Sequence, residues 1–293
     1  MKSTKRILAA VVLASSALGL QTNPPAPAPI GSNRPSQTGY VLKPIPFSAV
    51  HHQQSGFPRI RLWESTSANW SGYAVPREGS GVTDTFSGVE GTWTVPLVTG
   101  NDETTYASTW VGLDGYDDDT VEQTGTEQDW TAEGQQNYAW FEMYPGGAYE
   151  IVGFPVDPGD AISAQVRYVG TESVRISKNR SELESVFQLT IVNNTKNVSF
   201  AIPTSYTTIP SAARASAEWV LEAPWSGEIL PLADFGAAGF SDCNATSTRS
   251  SGQPKPVSFW PYDPLTMIDP SGGQATPSVL LDNGTAFSVS WSQ

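Results

Sequence analysis

Histidine and cysteine are nearly missing from this chain. His51 and His52 stand side by side near the N-terminus, and Cys243 is the single cysteine in 293 residues. A Ser-His-Asp triad, a Cys-His pair or a zinc centre of the His/Cys type would need bases or ligands that the chain beyond residue 52 does not contain. Any catalysis there falls to carboxylates, amides and hydroxyls, with no metal and no cofactor expected. Cys243 cannot form an intrachain disulfide and reads as a small buried residue. Basic residues are also few. Sixteen lysines and arginines face 29 aspartates and glutamates, a net charge of -13, which excludes a nucleic-acid partner held by phosphate contacts. Beyond residue 20 no apolar run approaches 18 residues, so no membrane contact is expected after that point. Helical 3.6-residue periodicity is scarce throughout.

What is present divides the chain in two. Lys2, Lys5 and Arg6 precede an apolar run from Ile7 to Leu20 that ends in small residues, the layout of a secretory signal peptide over residues 1–19. The expected location is therefore extracellular. A segment rich in Pro, Ser, Gln and Gly follows, to about residue 65, and it cannot bury enough surface to fold alone. A flexible linker is the simple reading. Charge favours a pro-segment instead: residues 1–64 hold seven basic side chains against Glu64 alone, a net +6, while the remaining 229 residues carry -19. A basic leader has an electrostatic partner in that body, and His51 and His52 would change the attraction around pH ~6.

From residue 66 to 293 the pattern is short runs of Val, Ile, Thr, Tyr, Phe and Trp, broken by Gly, Pro, Asn and Asp about every ten residues. Strands are predicted over Asn69–Val75, Phe86–Val95, Thr104–Leu113, Asn137–Tyr144, Ala161–Tyr168, Ser173–Ser177, Val186–Val192, Val198–Ile202, Ser216–Leu221 and Ala286–Trp291. That many strands without helices indicate one all-β domain, a sandwich or jelly roll of antiparallel sheets. A monomer is expected. Alternation puts Phe141 and Met143 in the core and Trp140, Glu142 and Tyr144 on the opposite face. The same arithmetic buries Trp219 and Leu221 and sends Glu218 and Glu222 outward. Strand glutamates are mostly solvated. Here they share a face with large aromatics that are costly to leave in water, so that face is either covered or used to bind an extended ligand. Asp117, Asp118 and Asp119 read as a solvated loop, with calcium binding the lesser alternative because the spacing fits no EF-hand.

Six motifs then stand in one order: Asn69-Trp70-Ser71-Gly72-Tyr73, Gly91-Thr92-Trp93-Thr94-Val95-Pro96, Trp110-Val111-Gly112-Leu113-Asp114-Gly115, Glu122-Gln123-Thr124-Gly125, Trp140-Phe141-Glu142-Met143-Tyr144-Pro145 and Ala217-Glu218-Trp219-Val220-Leu221-Glu222. With them the chain, from Asn69 to the middle 240s, resembles the glutamic peptidases (eqolisins). The resemblance implies a lectin-like (jelly-roll) β-sandwich and a secreted, acid-acting endopeptidase. It also implies a catalytic dyad of Gln123, in a Gln-Thr-Gly turn, and Glu218. The implied groove for extended polypeptide substrates is lined by Trp70, Asp114, Trp140, Glu142 and Tyr144, and Glu222 lies on the same face. Fungal members contain disulfides that a chain with one cysteine cannot make, and the segment after Cys243 shows no match to their motifs.

Missing motifs agree with this choice. No Asp-Thr-Gly or Asp-Ser-Gly is present for a pepsin-like pair, and no Gly-x-Ser-x-Gly elbow has a usable base. A carboxylate can accept a proton from water and return it to the leaving nitrogen, and a primary amide offers both an acceptor and a donor. The alternative reading of the same face is a glycan-binding module or a glycoside hydrolase, which would need a second carboxylate opposite Glu218. Glu142 and Asp114 keep that reading open. Asn-x-Ser/Thr sequons at Asn69, Asn179, Asn193, Asn197, Asn244 and Asn283 permit glycosylation.

Overall fold

The computed structural model describes residues 39–45, 65–77, 84–210 and 212–293. The expected signal peptide, most of the Pro-rich segment and His51 and His52 lie outside the described residues. Eighteen strands run in chain order. They are β1 (Val41–Pro44), β2 (Ser65–Ser67), β3 (Trp70–Pro76), β4 (Phe86–Thr94), β5 (Thr105–Leu113), β6 (Val121–Thr131), β7 (Gly134–Tyr144), β8 (Tyr149–Val152) and β9 (Ala161–Ser177), then β10 (Arg180–Asn193), β11 (Val198–Ala201), β12 (Thr208–Pro210), β13 (Ser216–Glu222), β14 (Ala237–Ser247), β15 (Lys255–Pro256), β16 (Asp263–Ile268), β17 (Gln274–Pro277) and β18 (Phe287–Ser292). Among the described residues three short 3-10 turns interrupt them.

Hydrogen bonding makes one continuous sheet that doubles over into two layers. The front layer runs β1–β8–β7–β6–β5–β13–β3–β16. β17 bridges β16 to β18, and the back layer continues β18–β14–β4–β9–β10 with β11 and β12. Every pairing is antiparallel except β2 with β16. The expected all-β sandwich is therefore present.

The layers meet through alternate side chains, as period-2 geometry requires. Phe141, Val111, Trp219 and Leu221 of the front layer enter one core with Val89, Trp93, Phe187 and Leu189 of the back. The Trp219 indole crosses the interface and donates to the carbonyl of Glu90 at 2.8 Å. Its neighbour Gly91 has to lack a side chain, because a Cβ there would sit 2.8 Å from the Trp219 ring. Trp93 crosses the other way, its Nε1 donating to Thr126 Oγ1 at 2.9 Å. Cys243 is buried in this core, as its composition class suggested.

Three sequence expectations change. Residues Ala161–Tyr168 and Ser173–Ser177 form the single long strand β9, which bends at a register shift opposite Val186/Phe187. Gln-Thr-Gly lies within strand β6, not in a turn, because β5 and β7 pair it on both sides and supply the order that its polar sequence does not. The segment after Cys243 is integral to the fold: β16 pairs with β3 and β18 with β14.

Candidate active site

The outer face of the front layer gathers most of the predicted site residues. Register places Glu218 of β13 opposite Gly112 of β5, Gly112 opposite Gln123 of β6, and Gln123 opposite Glu142 of β7. The four positions form one row across four strands. Neighbouring strands lie about 4.8 Å apart, so the Glu218 and Gln123 backbones are separated by roughly 10 Å, and the Trp110 ring and the Gln123 stem pack directly over the Gly112 backbone. An alanine there would place its Cβ 2.9 Å from the Trp110 ring and 3.1 Å from Gln123 Cβ. Only a residue without a side chain fits between the two catalytic candidates. Gln123 Nε2 donates to Glu142 Oε2 at 2.9 Å. That bond orients the amide, directing one N–H to Glu142.

Tryptophans wall the row on one side. Val220 faces Trp110, Trp110 faces Gly125, and Gly125 faces Trp140. Trp70 packs edge-on against Trp110 with ring centres 4.8 Å apart. Trp140 Nε1 donates to Ser108 Oγ at 3.0 Å, and Thr124 Oγ1 binds the Trp140 carbonyl at 2.7 Å. Together with Ala74, Tyr116, Val220 and Leu265 these rings make a second apolar cluster, separate from the interlayer core. Trp70, Gln123, Trp140, Glu142, Glu218 and Glu222 are all fully buried in the chain as a whole, so the stripe is a covered face and not an open surface groove. Tyr144 is partly exposed at its end.

Other predicted residues occupy supporting positions. Glu222 sits beside Trp70 and Ser108 in the next row. Its carboxylate accepts from Asn69 Nδ2 at 3.0 Å and Trp110 Nε1 at 2.8 Å. Burial holds its pKa well above the ordinary range despite those donors. The Asn69 sequon is spent on this contact and is buried, as is Asn193. Asp114 closes β5 in a left-handed conformation that Asp tolerates. Its carboxylate accepts the backbone N–H groups of Arg214 and Ala215, which tethers the loop entering β13 and hence Glu218. Burial, then the Asp118 charge, raise Asp114 to about 7. Asp118 folds inward to accept from the Gly115 and Thr120 N–H groups, so of the Asp117–Asp119 run only Asp117 and Asp119 are solvated.

Sequence reasoning missed several residues that the fold brings beside the predicted ones. Gly112 was legible only once its strand neighbours were known. Glu122, next to Gln123, is fully buried, and burial followed by the Asp114 and Asp118 charges pushes it well up. Glu127 and Asp129 lie on the Gln123 face of β6. Burial, then the Asp129 charge, raise Glu127, and burial raises Asp129 to about 7. No helix among the described residues is long and apolar enough to cross a membrane.

Known proteins share both sequence and fold with this chain. Residues 68–291 match the Peptidase A4 family, so the match extends through the segment after Cys243. The chain is 29% identical over 216 residues to aspergillopepsin-2 of Aspergillus niger, covering 65% of this chain and 68% of that protein. It is 28% identical over 207 residues to scytalidopepsin B of Scytalidium lignicola, covering 67% and 71%. Its fold is similar to that of scytalido-glutamic peptidase solved with a transition-state analogue inhibitor, with a TM-score of 0.59 at 24% identity, covering 77% of this chain and 98% of that one. The chain belongs to the peptidase A4 family and is a peptide-bond hydrolase of the glutamic type.

Proposed function

We propose that this peptidase is a secreted, acid-acting endopeptidase that hydrolyses extended polypeptides by direct attack of a water held between Glu218 and Gln123. The row Glu218–Gly112–Gln123–Glu142 carries the reading. Ionised Glu218 takes one proton from the water as its oxygen bonds to the scissile carbonyl carbon. The N–H of Gln123 that does not go to Glu142 donates to the resulting oxyanion, and such a donor typically contributes about 2.7 to 4 kcal/mol. The Glu218 carboxyl then returns its proton to the amide nitrogen, the C–N bond breaks, and acid and amine leave with Glu218 ionised again. Glu142 orients the amide. Trp70, Trp140 and Tyr144 are placed to line the chain on either side.

A glutamate base suits acidic conditions, where a histidine would be protonated and idle. The engagement of Glu142 by Gln123 favours this mechanism over a glycosidase, in which the second carboxylate must face the sugar ring. The leader, with its net +6 against -19, acts as a pro-segment that keeps the precursor latent until acid weakens the attraction. The deciding experiment is cleavage of a denatured protein between pH 2 and 7, with and without a pepsin-type inhibitor, by wild type, Glu218→Gln and Gln123→Ala. Wild type alone should cleave, in acid and unaffected by the inhibitor. Undiminished hydrolysis by Glu218→Gln would remove the dyad.

A further inference from the structure

Strand β8 is only four residues long, with β7 on one side and β1 on the other. β1 is not part of the sandwich sequence. It comes from the leader, and it adds to the β8 edge in an antiparallel register of Val41 with Val152, Leu42 with Ile151, Lys43 with Glu150 and Pro44 with Tyr149. The Ile45 N–H extends the ladder to the Ala148 carbonyl at 2.9 Å. Side chains then divide by alternation. Leu42 is buried in the interlayer core. Tyr40 packs its ring edge-on against Phe154 and Phe200, each at 5.7 Å. On the other face Lys43 pairs with Glu150 at 3.2 Å, and Ile45 packs against the cluster of Trp70, Trp110 and Trp140.

We propose that the outer edge of β8, with the apolar pocket of Ile151, Phe154 and Phe200, is a polypeptide docking site distinct from the dyad. Its occupant is the leader segment Gly39–Ile45, an anchor strand that stays bound after the chain is cut downstream. Three observations carry this. Strand addition supplies main-chain hydrogen bonds, and alternate side chains give it specificity, the usual economy of β-augmentation. The segment reads aromatic–aliphatic–basic at 40, 42 and 43 and meets aromatic, aliphatic and acidic partners in the same order. Without it, β8 would be a bare edge beside exposed apolar side chains, an arrangement that folded proteins avoid. Ile45 ends on the tryptophan cluster, and the chain is next described at Ser65–Trp70, whose tryptophan belongs to the same cluster. This role rests on the leader being a pro-segment, but strand docking itself does not require that it inhibit.

The test uses the full chain carrying Glu218→Gln, which cannot process itself under the proposed mechanism, with a recognition sequence for an unrelated endoprotease inserted after residue 50. After cutting, the N-terminal fragment should co-elute with the body in size exclusion at neutral pH, and the amides of Val41, Lys43, Glu150 and Val152, which alternate into the β1–β8 ladder with that of Ile45, should stay protected from hydrogen exchange. Leu42→Asp in the leader should release the fragment at least tenfold faster. Lys43→Glu, an exposed change that leaves the fold undisturbed, should also speed release, and less so in high salt. Immediate loss of the wild-type fragment would overturn the proposal, as would equal retention of the wild-type and Leu42→Asp fragments. A parallel cut of the chain with Glu218 intact separates the two readings. Full activity with the fragment still bound would defeat inhibition and leave docking standing.

Discussion

Acid should stabilise this protein and neutral pH should loosen it, and the size of the effect follows from its buried carboxyls. Asp114 and Asp129 are each raised to about 7 in the folded chain, chiefly by burial, against an ordinary value near 3.8. Below pH ~4 both folded and unfolded chains hold these protons, and neither group opposes folding. Between about 4 and 7 the unfolded chain has released them and the folded chain has not, so each group lowers stability by about 1.4 kcal/mol per pH unit. Across that window one such group removes roughly 4 kcal/mol, a large part of the roughly 5–15 kcal/mol typical of a domain. Glu122, Glu127 and Glu222 are raised too and act in the same direction. Asp160 moves oppositely: burial works against its charge, but hydrogen bonds from Lys196, the Asp157 N–H and Asn193 hold it below the ordinary range, so its contribution is lost only in stronger acid. The perturbation is Asp129→Asn, made in the Glu218→Gln chain to avoid self-digestion. Thermal melts by circular dichroism from pH 3 to 8 are the assay. The parent melting temperature should fall steadily from pH 4 to 7. Asp129→Asn should recover about 2 to 4 kcal/mol at pH 7, roughly 5 to 12 °C for a chain of this size, and change little at pH 4. A melting temperature that is flat or rising from pH 4 to 7, or a variant equally altered at both ends, would refute the reasoning.

Other consequences are direct. Gln123→Glu should be inactive wherever the new carboxylate is ionised, because it opposes the oxyanion; a pH–rate profile checks this. Gly112→Ala should cut kcat/KM by about tenfold or more while the melt still shows a folded chain, since displacing an oriented group by a fraction of an ångström is costly to rate. Glu142→Leu should lower kcat more than it raises KM by freeing the Gln123 amide, measured with a short fluorogenic peptide. Chelators and thiol- or serine-directed reagents should leave turnover unchanged, and inhibition by a chelator would contradict a dyad built from carboxylate and amide.

The sequence by itself determined the layer architecture and which residues share the candidate face. Alternation in Trp140–Tyr144 and Ala217–Glu222 separated core from outer face correctly, because period 2 is a local property of extended backbone and needs no knowledge of neighbours. The scarcity of histidine and cysteine narrowed the expected chemistry to side chains such as carboxylate and amide for a similarly local reason: it is a matter of inventory. What local pattern did not contain was pairing. Val121–Thr131 reads as polar turn sequence, and it is a strand only because β5 and β7 bind both its edges and because Thr126 and Gln128 find partners inside. That β13, β5, β6 and β7 lie side by side, bringing Glu218, Gly112, Gln123 and Glu142 into one row, depends on register between segments up to about a hundred residues apart. So do the burial of the row, the raised carboxyls around it, and the seat of Gly39–Ile45 on β8. Burial and proximity are properties of the packed chain, and only the tertiary structure decided them.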